Sequence, residues 1–377
     1  MSDDVFSRVQ SRLAGWWKLF LLRGCLVLIR PAIIISAAHY DEIFAGILAF
    51  YFIVSSLLTS GLSMAYYKEY MPDAVRNGIR KVIRKVNLHA YLTTTIIAVG
   101  TVIFDLPLWA CLSFITEFYF HQIARIFLYR KLFSAWALVS ILIPILFLVY
   151  YFLLSQSDEA LQSIILFSVI TISLGAFFLA KGASFAKTLW RQNILFGVNR
   201  KLFLQFDKLL IGWVMVPEDF WLIAVLYQVS NIGIVIFDTV VVVPNKNKIV
   251  KNEFILNDRH VLIVNSWVCV LSLIVMVTAC LLRPEENFFF LLTFCLILAV
   301  RSFSLNFNNL MLEIYFWRND LAKISRKMFE ITCLVCVFSY LTSILWGANS
   351  MAITTSCLFI FCQLYMARIY ENHNAVG

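Results

Sequence analysis

The sequence predicts an all-α integral membrane protein of twelve transmembrane helices, arranged as two six-helix lobes with both termini in the cytoplasm. Three observations predict it: a composition dominated by apolar residues, apolar windows of bilayer length, and an alternation of basic and acidic loops. Hydrophobic residues make up 61% of the 377 and charged residues only 14%, against about 25% charged in soluble domains. A soluble chain of this length could not hide so much apolar surface. A bilayer can, because about 20 apolar residues cross its hydrocarbon core as a helix whose backbone groups bond internally. The 34 Phe residues and the absence of strand-period alternation favour helices over an outer-membrane barrel.

The apolar windows run near Trp16–Ala37, Phe44–Met64, Leu88–Phe104, Leu108–Phe127, Leu132–Leu154 and Leu161–Ala180 in the first half. In the second half they run near Gln192–Val216, Phe220–Val243, Val261–Leu282, Phe288–Phe316, Met328–Leu345 and Met351–Ala367. Met1 to Arg12 is polar and mixed in charge. The first window carries Lys18, Arg23 and Arg30 with no small-residue cleavage site behind it, so it reads as a retained span and not as a signal peptide.

Loop charge is an independent check on that order. Lys68, Arg76, Arg80, Lys81, Arg84 and Lys85 lie between the second and third windows. The later even-numbered loops hold Arg125, Arg130 and Lys131, then Lys181, Lys187 and Arg191. After them come Lys246, Lys248, Lys251 and Arg259, then Arg318, Lys323, Arg326 and Lys327. The odd-numbered loops contain Arg283 as their one cation and are acidic, with Asp41, Glu42, Asp105, Asp158, Glu159, Glu218, Asp219, Glu285 and Glu286. Lys and Arg are retained on the cytoplasmic side, which puts the even loops and both termini there. The net charge of +9 is then topology signal and contact with anionic lipid headgroups. The run from Arg76 to Lys85 abuts a span and no recognition module accompanies it, so nucleic acid is not an expected partner.

A weak internal repeat divides the chain near residue 185 into an N-terminal lobe, 1–185, and a C-terminal lobe, 186–377. Asp41-Glu42-Ile43-Phe44 follows the first window and Pro217-Glu218-Asp219-Phe220 the seventh; aligning Phe44 with Phe220 also matches Tyr51 with Tyr227. Six spans per half give both halves one orientation, and parallel repeats of this kind place a substrate site at their interface.

Charges inside the windows single out the expected site. A charge at mid-bilayer costs at least about 2.5–3.5 kcal/mol, so one that persists there faces protein or a watery path. Arg23 and Arg30 lie two turns apart on one face of the first span. Arg30 sits about 21 Å beyond Trp16 at about 1.5 Å per residue, too deep to reach the cytoplasmic interface easily. Pro31 follows it as an expected kink. The seventh span carries Arg200, Lys201, Asp207 and Lys208, and the tenth carries Arg301. Guanidinium groups bind phosphate oxygens bidentately, so Arg23, Arg30, Lys208 and Arg301 are the expected ligands of an anionic headgroup. In a second reading Arg23 and Lys201 only reach the cytoplasmic interface, and Asp207 only neutralises Arg200 or Lys208.

Glu117, His121 and Arg125 form one stripe on the fourth span. A histidine beside a buried carboxylate suits proton coupling, so Glu117 and His121, with Asp207 and Asp238, are the expected ion-coupling groups. An ion-pair ladder fixing the fourth helix to a neighbour explains the stripe equally well. The nine cysteines lie in apolar segments, and Cys333-x-x-Cys336 has no second pair beside it, so these thiols are expected to pack as small apolar residues. No nucleotide, metal or serine-hydrolase motif occurs; the chain is expected to be no enzyme and to use no cofactor.

Phe206-Asp207-Lys208-Leu209-Leu210-Ile211-Gly212-Trp213, then Val216-Pro217-Glu218 and a span ending at Pro244, resembles helices seven and eight of the O-antigen-type polysaccharide flippases. These belong to the multidrug/oligosaccharidyl-lipid/polysaccharide exporter superfamily. His39-Tyr40-Asp41-Glu42-Ile43-Phe44-Ala45-Gly46, Gly61-Leu62-Ser63 and Trp346-Gly347-Ala348-Asn349-Ser350-Met351-Ala352 are similar to the family's turns after helix one, at the end of helix two and before helix twelve. The first turn lacks the family's Gly-Pro. The resemblance implies two lobes forming a V around a central cavity in a bacterial inner membrane, with undecaprenyl-pyrophosphate-linked oligosaccharide as substrate. It also implies alternating access coupled to H+ or Na+, and association with a polysaccharide polymerase and chain-length regulator. The alternatives are a multidrug or cation antiporter of the same fold, which would want an acidic pocket, and a membrane polymerase or glycosyltransferase, which would want a long external loop.

Overall fold

The computed structural model describes residues 22–23, 25–77, 79–103, 105–129, 132–155, 157–179, 187–242, 245, 248–249, 258–281, 288–318 and 321–374. Residues 16–21 of the first expected span, Pro244, the 185–186 lobe boundary and many of the loop charges lie outside these residues, as does the side chain of Arg125. Among the described residues every regular element is a helix: α1 (Cys25–Ala38), α2 (Glu42–Asn77), α3 (Ile79–Ile103), α4 (Leu108–Tyr129), α5 (Phe133–Leu154) and α6 (Glu159–Leu179). They continue as α7 (Lys187–Val214), α8 (Pro217–Phe237), α9 (Asp258–Leu281), α10 (Phe288–Arg318) and α11 (Leu321–Asn374). A five-residue π-turn, Asp238–Val242, extends α8.

Seven described stretches are long and apolar enough to cross a membrane, in α2, α5, α6, α8, α9, α10 and α11; Cys25–Ala38 and Ala90–Ile103 are shorter apolar helices. The chain is therefore a multi-pass, all-α membrane protein. The stretch in α11, Ile324–Met366, is 43 residues, about 65 Å at about 1.5 Å per residue, or twice a hydrocarbon core of about 30 Å. It is interrupted at Gly347, where φ is 81° and ψ 175°, in the turn that the sequence places between the last two spans.

Contacts group the chain into two compact units, Met1–Phe50 with Leu202–Gly377, and Tyr51–Lys201. In the second of these, α3 packs on α4 and α6, and α4 on α5. Phe52, Phe114, Phe118 and Phe147 are fully buried. Phe52 and Phe147 lie 4.9 Å apart at 59°, and Trp109 meets Tyr51 and Tyr151 edge-on at 4.9 and 5.4 Å. Tilted and edge-on ring pairs of this kind contribute about 0.5–1.5 kcal/mol beyond burial. α6 turns Ile164, Phe167 and Ile172 outward, a surface that hydrocarbon tolerates and water does not.

In the first unit, α8 packs on α9 and α10, and α10 on α9 and α11. α8 begins at Pro217, pre-set for a first helical position, with Glu218 and Asp219 complementing the helix dipole. α2 begins differently: the Asp41 carboxylate accepts from the backbone N–H of Ile43 at 2.9 Å and Phe44 at 3.2 Å, an N-cap in Asp form. These two helix starts, matched by the sequence repeat, meet in space. A Cβ on Gly46 would fall on the backbone of Pro217. One on Gly212 would come within 2.7 Å of Phe220 and 2.8 Å of Phe50, two rings that stand edge-on at 6.5 Å. Glycine is required at Gly46 because two backbones touch there.

Hydroxyls along these helices return to their own backbone one turn back. Thr59 donates to Ser55 O, Thr101 to Ile97 O and Thr332 to Met328 O, at 2.8, 2.9 and 2.8 Å. That satisfies each polar group without a neighbour, as an apolar surround demands.

Candidate functional site

Within the largely apolar interior of the first unit lies a cluster of buried polar and charged side chains. At its centre Arg301 of α10 meets Asp207 of α7, with Nε donating to Oδ2 at 2.5 Å and Nη2 to Oδ1 at 3.0 Å. Neither side chain has any exposed surface. The guanidinium also lies over Tyr227 of α8 at 5.0 Å and Phe359 of α11 at 4.4 Å. The Tyr227 hydroxyl shares a hydrogen bond with Ser356 at 2.9 Å. Four helices are thereby tied to one cation. Fork-to-fork geometry of this kind is the strongest form of ion pair, and the neutral total charge is what lets it persist away from water.

Lys208, buried next to Asp207 on α7, donates to Asn231 at 3.2 Å and lies 5.3 Å from the Tyr227 ring centre. Tyr227 therefore stands within cation–π range of both Lys208 and Arg301. Further along α10, Asn306 donates to Asn265 of α9 at 2.8 Å, and Asn265 donates to the carbonyl of Phe303 at 2.8 Å. Asn308 donates to Gln363 of α11, which in turn donates to the carbonyl of Phe203 at 3.2 Å.

Arg23 sits in a more open setting. Its Nη1 donates to Asp238 Oδ2 at 2.6 Å and to Thr239 Oγ1 at 3.1 Å, with side-chain exposures of 14% for Arg23 and 30% for Asp238. Thr239 spends its own proton on Val235 O at 2.7 Å, so toward Arg23 its oxygen can only accept. Both acceptors belong to the π-turn. An inserted residue of this type recurs at functional sites because it re-aims side chains out of helical register. Arg30, two turns farther along α1, is half-buried.

In the other unit, Glu117 of α4 is buried and accepts from Ser55 of α2 at 2.5 Å. His121, one turn on, is half-buried.

All eight residues expected from the sequence fall among the described ones, and the structure joins two groups that the sequence kept apart. Arg301 and Arg23, expected to meet an anion, are paired with Asp207 and Asp238, expected to couple an ion. In this conformation Arg301 faces protein on every side, whereas Arg23 keeps a solvent-reachable edge. Sequence reading passed over Asn265, Asn306, Asn308, Ser356 and Gln363, and noticed Tyr227 only as a repeat match. For Asn306 and Asn308 the signal is the run Arg301-Ser302-Phe303-Ser304-Leu305-Asn306-Phe307-Asn308, because polar side chains inside a spanning helix need partners wherever they fall.

No family model, no curated protein and no solved structure matches this chain. What fold and site define is a class: a polytopic helical membrane protein with a fully buried arginine–aspartate ion pair in one of its two units.

Proposed function

We propose that the chain is a flippase that carries undecaprenyl-pyrophosphate-linked oligosaccharide from the cytoplasmic to the periplasmic leaflet of a bacterial inner membrane by alternating access. In this reading it has twelve spans, two of them within α11 on either side of Gly347, and both termini are cytoplasmic. The observation that carries the proposal is cationic side chains kept inside apolar helices: Arg23 and Arg30 on the first span, and Lys208 and Arg301 deeper in the same unit. A pyrophosphate ester with about two negative charges is the ligand that best repays holding guanidinium groups in hydrocarbon. A cationic drug would meet charge of its own sign, since Asp207 and Asp238 are each already matched by an arginine.

Two further features support this reading. The repeat-related starts of α2 and α8 touch at Gly46 and Pro217, on the side that loop charge assigns to the periplasm. Glu117, held by Ser55, and the neighbouring His121 supply titratable groups for coupling to H+ or Na+. The headgroup meets Arg23 and Arg30 while the prenyl tail stays in lipid, and rocking of the lobes then moves it across. A polymerase and a chain-length regulator are the partners such a carrier would feed.

Complementation tests the proposal. Cells lacking the chain should lose surface glycan and accumulate lipid-linked precursor, and the wild-type protein should restore both. Arg23→Ala and Arg30→Ala, expressed to wild-type level, should restore neither fully. Normal export with both arginines removed would overturn the assignment.

A further inference from the structure

We propose that Asp238 is a built-in rival of the ligand's phosphate, occupying Arg23 until a phosphate-bearing headgroup displaces it and frees the first span from the end of α8. The inference rests on the flippase reading and adds the mechanism by which ligand arrival is sensed at that site.

The two ion pairs in this unit differ in how far an anion can reach them. Arg301 and Asp207 have no exposed surface, and a bidentate bond joins them. No incoming anion can reach that guanidinium without unpacking Tyr227 and Phe359. Arg23 and Asp238 are 14% and 30% exposed, and the bonds from Arg23 to Asp238 and Thr239 both leave from Nη1. An anion can approach this second pair from its open side. What it finds is one guanidinium facing a carboxylate oxygen at 2.6 Å and a hydroxyl oxygen at 3.1 Å, a pair of acceptors like two oxygens of a phosphate group.

The exchange is favourable in direction. A carboxylate brings one negative charge, and a pyrophosphate ester brings about two with more acceptor oxygens, so the guanidinium gains on switching partners. Asp238, already 30% exposed, can take up water when it lets go. The bond it gives up joins the first span to the π-turn of α8, so binding and release of that contact are one event. The π-turn makes the arrangement possible, because it directs both Asp238 and Thr239, adjacent in sequence, at one nitrogen. The recognised chemistry is a phosphate or pyrophosphate group, supplied either by a lipid headgroup or by free pyrophosphate.

The test is equilibrium binding to the purified full-length chain in lipid nanodiscs, with undecaprenyl pyrophosphate and inorganic pyrophosphate as separate probes. Asp238→Asn should bind undecaprenyl pyrophosphate about tenfold more tightly than wild type, and Arg23→Gln about tenfold more weakly. Combined, the two should bind like Arg23→Gln, because the aspartate acts only through the arginine. Thr239→Val keeps the shape, removes the second oxygen and should tighten binding by a few-fold; it serves if Asp238→Asn does not fold. Retention of the same ranking with inorganic pyrophosphate identifies the headgroup alone as the trigger, and its loss identifies the lipid as the source. Unchanged or weaker binding by both Asp238→Asn and Thr239→Val, with Arg23→Gln impaired, would overturn the rivalry and leave the flippase reading intact. No binding of either probe by wild type would overturn both.

Discussion

Arg301 and Asp207 come from α10 and α7, 94 residues apart in sequence, and meet with no exposed surface on either side chain. Desolvating both charges costs several kcal/mol per ion, and only close two-point contact offsets it. Removing one partner should therefore do more harm than removing both. Asp207→Asn or Arg301→Met is expected to lower stability by about 3–5 kcal/mol, and Asp207→Leu with Arg301→Met by less than either alone. Thermal unfolding in detergent, read as a double-mutant cycle, checks this; additive losses would mean that the pair is not a coupled unit.

Gly46 and Gly212 separate a backbone clash from a side-chain clash. A Cβ at Gly46 meets the main chain of Pro217, which cannot step aside, whereas a Cβ at Gly212 meets the rim atoms of Phe220 and Phe50. Gly46→Ala should cost at least about 1–3 kcal/mol. Gly212→Ala should cost less, since rings can shift and alanine gains about 1 kcal/mol over glycine within a helix. Gly100→Ala, with nothing within 4 Å, should be neutral or stabilising. Melting points of the three variants give the order, and a tolerated Gly46→Ala would show that α2 and α8 do not approach so closely.

Gly347 poses the reverse problem. Nothing lies within 4 Å of a Cβ placed there, so space is not the constraint. Its φ of 81° with ψ of 175° is a region essentially reserved for glycine, costing other residues about 1–3 kcal/mol. Gly347→Ala should destabilise the protein by about that amount although it touches nothing. Unfolding midpoints of Gly347→Ala against Ala348→Gly make the comparison.

The proposed topology of twelve spans predicts a labelling pattern. Single cysteines introduced at Ser157 and Asn349 should react with a membrane-impermeant maleimide from outside intact spheroplasts, above the background of the nine native cysteines. Cysteines at Lys81 and Lys323 should react only after permeabilisation. Equal labelling of both sets in intact cells would rule out the topology drawn from loop charge.

Much of the helical order was legible because it depends on local chemistry. Each apolar window from Phe44 to Phe316 corresponds to a described helix, and the turn at Trp346-Gly347 falls where α11 is interrupted. The α2 stretch ran longer than expected, to Asn77, because helical hydrogen bonding does not stop at the end of an apolar window. The site was legible only as a set of charges. Arg301 and Asp207 could each be flagged as costly in a membrane, but a Coulomb partner 94 residues away leaves no spacing pattern to read. The amide partners of Asn306 and Asn308 left no pattern for the same reason, since Asn265 and Gln363 lie 41 and 55 residues away.

By itself the sequence determined that this chain lies in a bilayer as helices, since burial of apolar length and retention of basic loops depend on composition summed over about 20 residues at a time. Only the tertiary structure decided which charges meet. It closed Arg301 onto Asp207 and left Arg23 reachable beside Asp238. Pairing depends on distances of a few ångströms between segments far apart in the chain, and those exist only once the helices have packed.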